Sequence, residues 1–157
     1  SSESLVPHLI PFLKEKGIDA EPGDYLNGVI ETLKPRSKTF IEMADGAEFY
    51  FLEKPVCDEK AATKFLKPAL LVPMKQLADG MAGLAEFDEK SLEDIFKQVM
   101  EDAGLGFGKV AQPVRVALTG KTVSPGIFEM ILALGKEKVI SRIYAAIQFI
   151  EKMPATE

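Results

Sequence analysis

From Leu5 to Ile150, apolar residues recur at intervals of three and four, and Gly or Pro repeatedly interrupts them. That period is the α-helical one, and an amphipathic helix is stable only when its apolar stripe is buried against a neighbour. The pattern therefore predicts an all-α bundle. The clearest case follows Asp88, where Leu92, Ile95, Phe96, Val99 and Met100 share one face. Glu89, Glu93 and Asp94 sit near the positive N-terminal end of the same helix.

The punctuation predicts the other elements. Leu5, Leu9, Phe12 and Leu13 form a first helix that Gly17 stops. Asp24 is the expected cap of a second, and Pro35 ends it. A third begins at Ser37 or Thr39, and Gly46 is expected to interrupt it. The segment Phe49-Tyr50-Phe51-Leu52 fits either a short strand or an aromatic plug. Asp58 caps a short helix, and Pro68 begins the next. The Gly-rich run Ala103–Gly108 lacks the spacing of a dinucleotide fingerprint and reads as a turn between helices. Pro113 fits a first helical turn, Ser124-Pro125 reads as a helix start, and the last helix begins at Lys136 or Glu137. A boundary near Glu86–Asp88 divides the chain into two small subdomains, 1–86 and 87–157.

Composition narrows the chemistry. Cys57 is the only cysteine and His8 the only histidine, so an internal disulfide and Cys- or His-rich metal sites are excluded. No apolar run approaches the ~20 residues of a membrane span. Ser1–Ser4 does not open a secretory signal, so a cytoplasmic location is expected. The net charge of −5 argues against wholesale coating of nucleic acid. Between Lys109 and Arg142, however, six basic residues face two acids, a local +4 against −9 for the rest. Such a stretch suits specific RNA contact on an acidic body, and it equally suits an ordinary solvated face.

The informative segment is Lys109–Phe128. With Val114, Ala117 and Leu118 facing inward, Arg115 is left to meet an external acceptor. A Lys/Thr/Ser loop ahead of a helix start points backbone N–H groups outward, toward phosphates or base acceptor edges. Gly126 permits close approach to the backbone. A capped helix in an ordinary bundle would carry the same residues.

The run Gly108-Lys-Val-Ala-Gln-Pro-Val-Arg-Val-Ala-Leu-Thr-Gly-Lys-Thr-Val-Ser-Pro-Gly-Ile-Phe-Glu129, closing with Leu134-Gly-Lys-Glu-Lys138, resembles the C-terminal region of glutamyl-tRNA synthetases, class I aminoacyl-tRNA synthetases. Leu33-Lys-Pro-Arg-Ser-Lys-Thr39-Phe, the aromatics at 49–51 and Lys64-Phe-Leu-Lys-Pro68 agree with it, so the likeness spans about Leu26 to Ile150. The resemblance implies an α-helical cage of two subdomains that grips the anticodon loop of glutamate tRNA. It implies that Arg36 senses the third anticodon base, where a glutamine is associated with relaxed enzymes. It implies that Gln112 and Arg115 lie near the first base, and that Ser124, Pro125, Gly126, Ile127 and Phe128 form the helix start that meets the anticodon bases; Phe128, as a large apolar residue, is expected mainly to pack in the core. Lys97 and Lys121 are candidate phosphate contacts. A monomer that binds tRNA, and neither DNA nor membrane, is expected.

The same resemblance implies ATP-dependent attachment of glutamate to tRNA by a full-length ligase. The His-x-Gly-His and Lys-Met-Ser-Lys-Ser segments of that chemistry do not occur in these 157 residues. No catalytic residue, metal or cofactor is therefore assigned to the chain itself. Two competitors remain. One is a helical protein-interaction domain derived from the same family. The other is a small enzyme holding a phosphorylated substrate at the Ser124 helix start, for which no acid or base can be named.

Overall fold

A computed structural model describes residues 1–153. Among the described residues there are nine α-helices and no strand. They are α1 (Ser2–Glu15), α2 (Asp24–Leu33), α3 (Phe40–Phe51), α4 (Glu59–Phe65), α5 (Leu71–Ala82), α6 (Glu89–Ala103), α7 (Phe107–Thr119), α8 (Ile127–Leu134) and α9 (Lys136–Glu151). Single 3-10 turns at Lys34–Arg36 and Pro68–Leu70 lie after α2 and before α5.

Several starts carry the expected caps. The Thr39 hydroxyl accepts from the Glu42 amide at 3.1 Å, and the Asp58 carboxylate from the Lys60 amide at 3.0 Å. Asp88 accepts from the Ser91 amide at 2.8 Å. Each satisfies a backbone donor that the first turn leaves without an intrahelical partner.

Four local expectations are corrected. Gly23, not Asp24, is the N-cap residue of α2, and Asp24 is already helical. Gly46 does not break α3; the helix continues to Phe51, which removes the strand alternative for the aromatic run. A Cβ at Gly46 would stand 3.0 Å from Leu33 Cδ2, so the missing side chain serves close packing of α3 on α2. Pro113 lies in the interior of α7, buried, not in its first turn. A proline there forfeits one helical hydrogen bond, and α7 keeps it with eight buried positions, Pro113 among them. Finally, Gly126 precedes α8, with no side-chain cap; Ser124 does not cap it.

Packing follows the apolar faces. Helices α1, α2 and α3 pack together, α5 packs on both α6 and α9, α2 meets α8 and α4 meets α7. One apolar cluster runs through residues of both halves, including Leu13, Tyr50, Leu77, Phe96 and Met130. Helices on either side of Glu86–Asp88 therefore share a core. No described helix is long and apolar enough to cross a membrane.

Candidate nucleic-acid interface

The segment between α7 and α8 turns because Gly120 adopts φ +78°, a left-handed conformation open to glycine. Its N–H returns to Val116 O at 2.7 Å, and its O accepts from the Asp58 amide at 2.8 Å. The buried Thr119 hydroxyl donates to Arg115 O at 2.8 Å and accepts from the Lys121 amide at 3.0 Å. The chain then passes Lys121, Thr122 and Val123, all exposed, before reaching Ser124.

Four predicted residues meet there. Gln112 Nε2 donates to Thr122 O at 3.0 Å, and Gln112 Oε1 accepts from the Arg115 guanidinium. Arg115 Nε donates to Ser124 Oγ at 2.8 Å, and Ser124 Oγ donates to Pro125 O at 2.7 Å. Arg36 arrives from the turn after α2 and donates to Ser124 O, 88 residues away in sequence. Pro125 and Ile127 are buried, so they offer backbone rather than side chain to a ligand. Phe128 packs edge-on against Phe96 (5.2 Å) and beside Phe107 (5.8 Å), as expected of a core residue.

None of Arg36, Arg115 and Lys121 joins an ion pair among the described residues. The acids nearest Arg36 along the chain bond elsewhere: Glu31 with Lys34 at 3.1 Å, and Glu42 with Thr39 at 3.4 Å. Arg115 is half-buried, and its pKa is lowered by burial and then by the charge of Arg36. Two guanidiniums that repel each other, each donating to Ser124, favour an incoming acceptor or anion.

The basic stretch Lys109–Arg142 does not form one face. Arg142 is 4% exposed and donates to Leu118 O and Leu52 O, each at 2.7 Å. Lys136 Nζ donates to Leu84 O at 3.0 Å. Lys138 Nζ donates to Tyr25 OH at 3.1 Å and lies 4.2 Å from the Tyr25 ring centroid. Lys138 and Arg142 tie helices together, and Lys136 ties α9 to the segment after α5. Lys97 is exposed on α6, with no described bond to the cluster.

Sequence reasoning missed two features. A cavity of about 280 Å³ lies beside Ser124, lined by Arg36, Lys121, Val56, Val123 and Phe49 and also by Asp45 and Glu48, two carboxylates that pair with Lys16. Val56 and Val123 are 75% and 71% exposed, and no periodicity marks them. The Glu129 side chain folds over the start of α8, its Oε1 3.5 Å from where a Gly126 Cβ would stand. A carboxylate there already occupies the end of the helix that attracts anions. The position of Glu129 in the first turn was the available signal.

The family model described as "Anticodon binding domain" matches residues 4–147. The glutamate–tRNA ligase of Desulfosudis oleivorans is 51% identical over 149 residues, covering 95% of this chain and 32% of that protein. That of Syntrophobacter fumaroxidans is 47% identical over 152 residues, covering 97% and 32%. A crystal structure of a glutamate tRNA ligase from Elizabethkingia meningosepticum, in complex with its amino acid, superposes with a TM-score of 0.83 at 29% identity, covering 96% of this chain and 30% of that one. The chain thus spans about a third of the length of the curated relatives it matches (32%). From its matched residues and its helical architecture, this chain belongs to the anticodon binding domain family, in the form carried by glutamate–tRNA ligases.

Proposed function

We propose that the surface built on Arg36, Gln112, Arg115 and Ser124 reads the anticodon loop of a glutamate tRNA. The observation that carries this reading is the convergence on one residue, Ser124, of two guanidiniums that have no carboxylate partner among the described residues. An arginine fork recognises a base edge by paired donors, and splayed loop bases are the accessible ones in RNA. The backbone of Ser124–Ile127 supplies further polar groups to the bases. The adjoining cavity of about 280 Å³ receives an unstacked base, with Arg36 at its edge as the sensor of the third anticodon position. Lys121 serves the phosphates, and Lys97 serves those farther along the stem.

Dividing the chain into units 1–86 and 87–157 puts Arg36 on one and Ser124 on the other, so reading needs both. Arg36 in place of glutamine favours an enzyme that separates glutamate tRNA from glutamine tRNA. In a full-length ligase, ATP-dependent attachment of glutamate would lie outside these 157 residues. The chain acts as a cytoplasmic monomer.

The test is a fluorescence-anisotropy titration with an anticodon stem-loop of glutamate tRNA, beside one changed only at the third anticodon base. Binding that prefers the glutamate loop and weakens steeply with salt is expected. Arg36→Gln should reduce the preference by about tenfold, the scale of one lost base contact. A folded chain that binds neither loop overturns the reading and favours a protein-docking role.

A further inference from the structure

Arg142 is the cation most withdrawn from solvent, yet no carboxylate pairs with it among the described residues. Burial lowers its pKa. Its two terminal nitrogens instead donate to Leu118 O and Leu52 O, each at 2.7 Å. Leu118 lies in the last turn of α7, and Leu52 is the residue that closes α3. Leu118 O is among the final carbonyls of α7, which lack intrahelical donors and carry the negative end of its dipole, whereas Leu52 is extended and its O lies just past the end of α3. A planar guanidinium can satisfy both carbonyls at once, and a lysine ammonium lacks that fixed fork. Lys138, one turn earlier on α9, donates to Tyr50 O at 3.3 Å, on the same end of α3.

The two helix ends joined by Arg142 continue into segments that touch. The Asp58 amide donates to Gly120 O at 2.8 Å, and a Cβ on Gly120 would stand 2.1 Å from Val56 O. The segment carrying Ser124 is therefore held at its root through Leu118 and Gly120, while Arg36 and Arg115 hold its tip.

We propose that Arg142 is a positioning residue for the 120–126 segment: by joining the ends of α3 and α7, it sets where Ser124 stands relative to Arg36 and Arg115. Its action is through the protein, without contact to RNA. What the segment reads rests on the function proposed above; its placement does not.

The test compares the full chain with Arg142→Lys, which keeps the charge without the fork, and with Arg142→Met. Circular dichroism melts first select a temperature at which each variant is folded. Hydrogen exchange followed by mass spectrometry should then show amides of 116–126 exchanging at least about tenfold faster in Arg142→Lys, with α1 and α6 unchanged. In the stem-loop titration, the preference for the glutamate loop should fall by about tenfold while the salt slope is kept. Unchanged exchange in 116–126 in a folded variant overturns the proposal. So does full base preference in the variants, or loss of the whole fold in both, which would make the role purely structural. If the unaltered chain binds neither loop, the functional reading fails, and the exchange measurement still decides the role of Arg142.

Discussion

The Nε of Arg115 donates to the hydroxyl of Ser124 at 2.8 Å, across the turn between α7 and α8. One bond thus aims a half-buried cation and orders the chain before a helix start. Replacing Ser124 by alanine removes an acceptor from a charged donor, an interaction worth roughly 1.5–3 kcal/mol. Ser124→Ala is expected to weaken stem-loop binding by about tenfold or more, whereas Ser124→Thr keeps the hydroxyl and most of the affinity. Anisotropy titrations at one salt concentration check both, and equal binding by all three chains would refute the role.

Glu129 makes an opposite prediction. Its carboxylate lies over the start of α8, where an anionic ligand would meet like charge. Glu129→Gln should tighten stem-loop binding by a few-fold, on the order of one screened surface charge interaction. The gain should shrink between low and moderate salt, because exposed charges are screened. Weaker binding by Glu129→Gln would mean that the carboxylate contacts a base donor.

Gly120→Ala tests the tertiary root of the same segment. The substitution places a Cβ at φ +78° and 2.1 Å from Val56 O, a backbone atom. Strain of this kind costs about 1–3 kcal/mol, and the added overlap makes the upper end the expectation. Urea denaturation should show a lower midpoint with an unchanged slope. A midpoint equal to that of the parent would show that segment 52–58 moves aside freely.

Tyr25 carries a pH prediction. Burial is the main cause that pushes its hydroxyl up to about 12 from an ordinary value of 10.0, partly offset by the charge of Arg142. The folded value lies above the unfolded one, so the folded state holds its proton longer. The contribution to stability is complete below pH 10 and is lost as pH rises toward 12. Tyr25 OH donates to Tyr50 O at 2.5 Å, so ionisation also removes a bond to the end of α3. Tyr25→Phe should be less stable at neutral pH and should lose stability less steeply between pH 10 and 12. Parallel chemical denaturation of the two chains across that range decides the matter.

Most of the helices were legible because their signals are local. The stops at Gly17 and Gly104, the caps at Thr39, Asp58 and Asp88 and the faces of α6 and α9 depend on neighbours within one or two turns. Gly46 and Pro113 were misread for the complementary reason. Their helices persist because other helices bury them, which outweighs a local preference for breaking. The residues of the candidate interface were legible through a long ordered run of sequence, not through any physical pattern that singles them out.

By itself the sequence determined an all-α chain, and it supplied one cysteine and one histidine, too few for a Cys- or His-rich set of metal ligands. Only the tertiary structure decided what each cation holds. Lys136, Lys138 and Arg142 look equivalent to Arg115 along the chain, yet they reach carbonyls and a tyrosine on distant elements, whereas Arg115 donates to Gln112 on its own helix and to Ser124 just beyond it. Arg36 becomes a partner of Ser124 only across 88 residues. Charge is a property of composition, but its availability depends on whether long-range contacts satisfy it, and no local pattern encodes those contacts.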